Sequence, residues 1–349
     1  MQGSQRHLTF FTLGTATWDD VVCVSGSGRF EDAKLNCEFE YEQSGGSAVN
    51  TRLALQAVAQ AFETSSNTWL CTKLGHSVPQ NRFKNLVIEQ IGDHHLMDAA
   101  FMRDDYAVPK NRIIINQSGR MVLRGKQQVN TPFDELIIRE IIEAVSQSDL
   151  LILHSRYPQL TEIAATTAKD KGIKVILDYS EKDQSLVERL ENVIHLSDYV
   201  LAPHDARLPG MTEDNPDVLF DRLVGDYGKT FVAVSNSSEP VKIFSGGHRT
   251  TIQPDLVKAI DLNGAGDAKD AAFGFFIAKG NDPLAAYKKA TAIATFSVQH
   301  PGREWIPHLK DFVQTHPLFA EDFAAQPGRD NPAAFSAAAE MPVFAPQNG

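Results

Sequence analysis

The sequence predicts an α/β protein with a mainly parallel sheet that is wound on both faces and flanked by helices. Short, continuously apolar runs alternate with segments of helical periodicity through the second half of the chain. These runs cover residues 150–153, 173–178, 199–202 and 230–234. Continuous apolar runs are typical of strands buried on both faces, and their alternation with helices predicts parallel pairing. The 349 residues suffice for one large α/β domain or two smaller ones.

The N-terminal part of the chain is expected to add two more strands and a helix to this sheet. A β-rich run at 8–13 ends at a glycine, and a second strand is expected at 68–74. Apolar positions recur at helical spacing over 49–62, which predicts a helix there. Residues 15–20 between these elements are polar, and we expect them to form a loop.

Three further segments have a different pattern. Residues 21–43 and 99–124 alternate like hairpins or extended flaps. After about residue 315 the composition shifts to Ala, Pro, Gly and Asn, which predicts a weakly ordered tail over 315–349.

Charge and cysteine content limit the partners and the location of the protein. The formal net charge is -11, with no compensating block of Lys and Arg, which argues against nucleic acid or an anionic membrane as the main partner. No apolar run is long enough to predict a membrane span. Cys23, Cys37 and Cys71 lack metal or redox spacing and cannot all pair, so we expect a reduced, cytoplasmic setting.

The turn Gly264-Ala265-Gly266 begins a strongly apolar helical stretch and is followed at once by Asp267. The first amides of a helix have no intrahelical partner, and the helix dipole is positive there, so this turn is a candidate anion site. Asp267 is either an N-terminal cap of the helix or a base held beside that site. The residues alone leave both interpretations open.

Two more positions are candidates for ligand contacts. Asp19 follows the strand at 8–13, where an α/β sheet gathers its ligands, although a solvated turn residue is the alternative. Gly45 and Gly46 precede the helix at 49–62, and Asn50 lies in its first turns. That side chain either binds a hydroxylated ligand or satisfies local backbone.

Three motifs in this order resemble the ribokinase or PfkB family of carbohydrate kinases. They are GTATWD at 14–19, SGGSAVNTRLAL at 44–55 and DLNGAGDA at 261–268. Several stretches look most like the ketohexokinase branch, among them IKVILDYSEK at 173–182. The resemblance implies a ribokinase-like kinase domain over 8–310. Its small β-sheet lid would be formed by inserted segments at about 20–43 and 99–124.

The resemblance also implies a role for each matching position. Asp267 would be the catalytic base, and the amides around Gly264, Ala265 and Gly266 would stabilise the phosphoryl group in transit. The acceptor site would be formed by Asp19, Gly45, Gly46, Asn50 and Arg120.

The family's cofactors would be ATP and Mg²⁺. Nucleotide contacts are implied at Ser235, Ser237 and Asn263, and Asp205 is the candidate metal ligand. The chain departs from the family at two of these places. Residues 202–207 lack the usual Asn-x-x-Glu element, so Asp205 would substitute only partly, and residues 235–240 lack both glycines of the usual nucleotide turn.

We therefore expect an ATP-dependent kinase that phosphorylates a hydroxyl of a small sugar or polyol. The alternatives are a nucleoside kinase with the same mechanism, or a non-catalytic relative that binds a sugar or nucleotide. A homodimer formed through the lid is a further expectation from the resemblance. Lys269, which follows the glycine turn, is either a cation near the anion site or a solvated residue of the first helical turn, and we expect the second.

Overall fold

A computed structural model of the protein describes residues 6–25, 36–76, 78–116, 119–125 and 133–324. Within these residues the strands are β1 (Leu8–Leu13), β2 (Thr17–Val24), β3 (Cys37–Gly45), β4 (Ser66–Thr72), β5 (Leu96–Asp98), β6 (Lys110–Asn116), β7 (Gly119–Leu123), β8 (Leu150–His154), β9 (Lys174–Asp178), β10 (Tyr199–Pro203), β11 (Phe231–Ser235), β12 (Val241–Ser245) and β13 (His248–Ile252). The helices are α1 (Ser47–Ala61), α2 (Phe83–Ile91), α3 (Glu135–Ser146), α4 (Pro158–Lys171), α5 (Gln184–Val187), α6 (Glu191–Leu196), α7 (Pro216–Gly225), α8 (Ala265–Ala278), α9 (Pro283–Ser297), α10 (Leu309–Thr315) and α11 (Ala320–Ala324).

A large sheet organises the molecule. Among the described residues it has nine strands in the order β13-β12-β11-β10-β9-β8-β1-β4-β5. Pairing is parallel from β5 to β11 and antiparallel for β12 and β13. The carboxyl ends of the parallel strands therefore share one edge, where α/β proteins bind their ligands. The predicted α/β class with a mainly parallel sheet is confirmed.

Helices cover both faces of this sheet, and β8 shows why. Leu151 and Leu153 point into one apolar cluster, whereas Leu150 and Ile152 point into the other. Because successive side chains of a strand alternate between faces, a continuously apolar strand needs an apolar layer on each side. The first cluster is completed by α3, α4, α6 and α7, and the second by α1, α8, α9 and α10.

A second, smaller sheet forms the expected lid. Its order is β3-β2-β6-β7, with β2 parallel to β6 and the other pairs antiparallel. The expectation of a loop over residues 15–20 is wrong, because β2 begins at Thr17 and continues the chain straight into this sheet. Its polar residues are compatible with a strand because β3 and β6 form backbone hydrogen bonds with β2 on both sides. Residues 26–35 and 117–118, at the tips of the predicted flap and hairpin, lie outside the described residues.

The chain after α10 is more ordered than its composition predicts. A 3₁₀ turn at Pro317–Phe319 leads into α11, and Phe319 is fully buried. The ring of Phe323 stacks on Phe62 of the core, with 5.2 Å between centroids. The prediction of a weakly ordered tail is therefore wrong for residues 317–324, because two aromatic anchors outweigh the polar and small residues around them. Residues 325–349 of that predicted tail lie outside the described residues.

None of the described helices combines the length and the apolar composition needed to cross a bilayer.

We expect Phe319→Ala to lower the free energy of unfolding by about 3 kcal/mol, because it leaves a cavity beside Phe62 and Phe276. Urea unfolding followed by tryptophan fluorescence measures this change. Phe101→Ala is the matched control, since that side chain is 56% exposed and its loss should cost about 0.5 kcal/mol or less. Equal stabilities of the two variants would show that the C-terminal segment is not docked as described.

Candidate active site

The glycine turn before α8 creates an exposed helix N-terminus. Gly264 is the N-terminal cap residue and has φ 80°, a left-handed conformation that glycine adopts without steric cost. Ala265, Gly266 and Asp267 form the first turn, so their amides precede the intrahelical hydrogen bonds. The first of those bonds runs from Ala268 N to Gly264 O, at 2.9 Å. The backbone at this turn therefore has the free amides that the predicted anion site requires.

Asp267 faces the neighbouring helix α1. The Nδ2 amide of Asn50 donates a hydrogen bond of 2.8 Å to its Oδ2 atom. Burial raises the pKa of Asp267 to about 6, against the opposing effects of His154 and of the Asn50 hydrogen bond. A carboxylate with this pKa, beside a helix N-terminus, suits a general base better than a cap.

Asp19 is a buried residue of β2, and the alternative of a solvated turn residue is wrong. The residue is only 3% exposed, and its carboxyl accepts hydrogen bonds from Thr17 (2.7 Å) and Asn111 (2.9 Å). Burial raises its pKa, while these hydrogen bonds and the charge of Arg303 oppose that rise. A buried carboxylate held in this way presents its second oxygen in a fixed direction.

Gly45 and Gly46 contribute to the site because they lack side chains. A Cβ atom at Gly45 would overlap Oδ2 of Asp19, and one at Gly46 would overlap the carbonyl oxygen of Thr15. Gly46 also has φ 90° and is the N-terminal cap residue of α1. These two glycines therefore let β3 end against Asp19 and let α1 begin directly beside it.

Arg303 belongs to the site, although no pattern in the sequence indicates it. One nitrogen of its guanidinium donates to the Ser44 hydroxyl at 3.0 Å, and the other donates to Oδ1 of Asn50 at 3.1 Å. Burial lowers its pKa to about 10, and the nearby charge of Asp19 limits that decrease. Arg303 is 253 positions away from Asn50 and sits in an irregular segment after α9, so no local periodicity could have identified it.

Asp261 ties the loop before α8 to the lid. The Tyr41 hydroxyl donates to its Oδ2 atom, and so does the backbone N–H of Gly302, at 2.8 Å. Its Oδ1 atom accepts from the backbone N–H of Asn263, also at 2.8 Å. Asp261 is visible in the sequence as part of the third motif, but its partner Tyr41 is not.

A cavity lies where these elements meet, between the lid and the start of α8. Its lining includes Gln43, Asn50, Asn263, Gly264, Arg303 and Trp305. Among the described residues, the Nδ2 amide of Asn263 is buried and has no hydrogen-bond partner. An unsatisfied buried donor is costly, so this amide is available to an oxygen of a bound ligand.

Arg120 of β7 reaches the same region from the lid. Its guanidinium donates a long hydrogen bond of 3.4 Å to Oδ1 of Asn263. Its charge also acts on Asp267, whose pKa it lowers as the smallest of several effects. Of the predicted site residues, Asn50 and Asn263 line the cavity, and they contact Asp267 and Arg120, respectively. Asp19 lies close enough to Arg303 of the lining for the two charges to interact.

The other predicted positions lie at the ends of β10 and β11. The Ser235 carbonyl accepts from the backbone N–H of His204 at 2.8 Å, and Ser237 has φ 47°, unusual for a residue with a side chain. Asp205 forms an ion pair with the Lys182 ammonium. The Lys182 side chain is half exposed, so its ammonium can move aside, and the role of Asp205 as a metal ligand stays a prediction.

A buried cluster of charged side chains lies beneath the first turns of α8. Ligand atoms of His154, Asp178 and Asp270 lie within 4.8 Å of one another. Both ring nitrogens of His154 have hydrogen-bond partners, however: Asp178 at 2.8 Å and Thr51 at 3.0 Å. His154 is therefore held by hydrogen bonds on both sides and has no ring nitrogen left for a metal ion.

Lys269 extends this cluster, and the expectation of a solvated residue is wrong. Its side chain is only 16% exposed, and its ammonium lies 3.8 Å from Oδ1 of Asp270. It also lies 5.8 Å from the centroid of the Tyr287 ring. The side chain turns inward because a buried carboxylate next to it in sequence needs a cation.

Comparisons with known proteins agree with this geometry. A model of the pfkB family of carbohydrate kinases matches residues 14–305. The chain is also similar in sequence to a ribokinase of Arabidopsis thaliana, with 26% identity over 187 residues. That alignment covers 51% of this chain and 47% of the relative, so the chain spans about half the length of the curated relative it matches.

Two solved structures share the fold. A ribokinase from Thermotoga maritima has a TM-score of 0.60 at 19% identity, with 87% of this chain and 99% of the other covered. An adenosine kinase from Sinorhizobium meliloti has a TM-score of 0.62 at 16% identity, with the same coverage. The family match includes both glycine turns, Asp19 and Asp267, and we conclude that the chain belongs to the pfkB family of carbohydrate kinases, with the ribokinase-like α/β fold.

Proposed function

We propose that the protein is an ATP-dependent kinase that transfers the γ-phosphoryl group to a hydroxyl of a small sugar or polyol. The observation that carries the proposal is the position of Asp267. This carboxylate has a raised pKa, lies at the N-terminus of α8 and is hydrogen-bonded to Asn50 of the cavity wall. Membership of the pfkB family supports the reaction class.

Asp19, Asn50 and Arg303 would bind the acceptor. Vicinal hydroxyls need both acceptors and donors at fixed positions, and these three side chains supply them from three separate elements. Gly45 and Gly46 leave room for the Asp19 carboxylate and for the Thr15 carbonyl, respectively. The ketohexokinase-like preference expected from the sequence stays a prediction, because it depends on which sugar the cavity accepts.

Asp267 would take the proton of the bound hydroxyl. The hydroxyl oxygen then forms a bond to the γ-phosphorus, the bond from that phosphorus to the β,γ-bridging oxygen breaks, and ADP leaves. Charge on the phosphoryl oxygens would be stabilised by the amides of Ala265, Gly266 and Asp267 and by Arg120. Such a set is sufficient because phosphoryl transfer requires mostly positioning and charge stabilisation.

The nucleotide would lie along the ends of β10 and β11, against Ser235 and Ser237. The unpartnered amide of Asn263 would donate to one of its phosphate oxygens. Magnesium would arrive on the triphosphate, and Asp205 would be the candidate protein ligand for it once the Lys182 ammonium moves aside. A lid-mediated homodimer also stays a prediction.

A non-catalytic binder of sugar or nucleotide is the second candidate. The Lys182–Asp205 ion pair and the absence of both glycines over 235–240 favour it. Titration calorimetry with ATP and magnesium separates the two candidates, since a kinase must bind the nucleotide at millimolar concentration or below. A nucleoside kinase keeps the mechanism and changes only the acceptor, so a panel of sugars and nucleosides decides that question.

Asp267→Asn should lower kcat by about 10²- to 10⁴-fold. The substitution removes the base but keeps the size of the side chain and an oxygen that can accept the hydrogen bond from Asn50. A coupled assay of ADP release measures kcat, and calorimetry should show acceptor binding close to wild type. Asp255→Asn makes the same chemical change at an exposed position and should leave turnover unchanged. Wild-type turnover in the Asp267 variant would remove that residue from the mechanism.

The pH profile of kcat/KM should have an acid limb near pH 6. Only the ionised carboxylate can accept a proton, and burial raises the pKa of Asp267 to about 6, so activity decreases as the pH drops through that value. Steady-state kinetics from about pH 4.5 to about pH 9 would locate the limb. A limb near 4, where an ordinary carboxyl titrates, would contradict the role of this buried group.

Gly45→Ala should raise the KM for the acceptor by about tenfold or more, with a smaller change in kcat. The added methyl would displace the Asp19 carboxylate from the acceptor site. Gly225→Ala is the matched control, because a Cβ atom there meets open space at the end of α7. An unchanged KM in the Gly45 variant would show that Asp19 does not bind the acceptor.

A further inference from the structure

His154 is the centre of the buried cluster beneath Asp267, and the proposed reaction does not use it directly. It ends β8 and is 1% exposed. Its Nδ1 atom is hydrogen-bonded to Asp178 at the end of β9, and its Nε2 atom to Thr51 of α1. A Cβ atom at Gly14 would approach the ring to 3.0 Å, so the imidazole is also held from the side of β1. The ring therefore has one fixed orientation.

The face of α8 above this ring is acidic. Asp267 and Asp270 are three residues apart, so they lie on the same side of the helix. Asp270 is 2% exposed, and its Oδ1 atom has no hydrogen-bond partner among the described residues. Ligand atoms of Asp178 and Asp270 thus lie within 4.8 Å of one of His154, and Asp267 lies one helical turn before Asp270.

Such crowding favours protons on carboxyl groups unless a cation is present. Burial alone would lower the pKa of His154, but the carboxylates of Asp178, Asp267 and Asp270 outweigh it, and the net change is upward from 6.5. Burial raises the pKa of Asp267 to about 6, and His154 is the largest effect that opposes this rise. The imidazole and the Asp267 carboxyl therefore each stabilise the charged form of the other.

We propose that His154 is a positioning residue for the phosphoryl transfer: its imidazolium, oriented by Asp178, keeps the Asp267 carboxylate ionised despite two neighbouring carboxyl groups. The part of this inference that concerns rate rests on the proposed role of Asp267. The electrostatic coupling between the two side chains does not.

Other charged groups also affect the pKa values of His154 and Asp267. Those facing Asp267 or His154 come from β9, α8, the lid and the segment after α9; they are Asp178, Asp270, Arg120 and Arg303. Lys269 and Tyr287 act one step away, through Asp270. Of the cations that lower the pKa of Asp267, His154 has the largest effect, so its removal should change that pKa most.

His154→Gln tests the inference because glutamine can donate to Asp178 and accept from Thr51 without carrying a charge. We expect the acid limb of kcat/KM to rise from near pH 6 by about one unit, as the loss of a nearby cation predicts. Activity at about pH 6 would then drop by up to about tenfold, while activity at about pH 8.5 and the KM for the acceptor would stay near wild type. His248→Gln, at an exposed position of β13, should leave the limb in place.

A merely structural role of His154 gives a different result. Loss of packing would lower activity by the same factor at every pH and would leave the limb unmoved, and that outcome would overturn the inference.

A second measurement needs neither activity nor the folding of the glutamine variant. Imidazole ¹⁵N NMR of His154 in the wild type and in Asp267→Asn compares the two titrations. Because coupling is reciprocal, loss of the Asp267 charge should lower the pKa of His154 by about the same one unit. An unmoved imidazole titration would overturn the inference. Retained turnover of Asp267→Asn would instead overturn the proposed role of Asp267 as base, so the two failures are distinguishable.

Discussion

The hydrogen bond from Asn50 to Asp267 is the contact on which the candidate site depends. It joins the first turns of α1 and α8, and the amide of Asn50 is held at its other end by Arg303. Both helices begin at glycines with positive φ, which lets their N-termini approach the same cavity. An amide fixed at both ends holds the carboxylate in one direction.

The charges of the site explain how an acidic protein can handle phosphate. A net charge of -11 repels a triphosphate at long range, so attraction must be local. In the proposed reaction, the helix N-terminus at Gly264 would supply part of this attraction without any charged side chain, and Arg120 would supply another part from the lid. His154 and Lys269 are placed on the opposite, buried side, where they balance carboxylates and leave the cavity itself free.

The large sheet could be predicted from the sequence because each of its strands has a strong local signal. A continuously apolar strand such as β8 can only be buried on both faces, and that requirement is visible in five residues. The start of α8 is equally visible, since a Gly-Ala-Gly turn before a long apolar run is typical of a helix N-terminus. The roles assigned to Asp267, Asn50 and the nucleotide contacts depend on the family resemblance and remain predictions.

The features that escape prediction from the sequence depend on distant partners. The first half of β2 contains Thr17, Asp19 and Asp20, and it forms a strand because it pairs with β3 and β6. Lys269 turns inward because of a buried carboxylate. Arg303 and Tyr41 have no local pattern at all, because their partners lie more than two hundred positions away. Composition misleads for the segment 317–324, since two phenylalanines anchor it.

These long separations also bear on how the site forms during folding. The bonds that define it join residues 217, 220 and 253 positions apart, so each closes a loop of most of the chain. Contacts of this kind form slowly, because the entropy of the whole intervening segment is lost before they contribute. The sheet and its helices can form from elements that are close in sequence. The cavity forms only after Arg303 and its neighbours have packed against the N-terminal part of the chain. In the proposed function, acceptor binding would therefore be a late event in the folding of this chain, because it requires Arg303 to be in place beside Asn50.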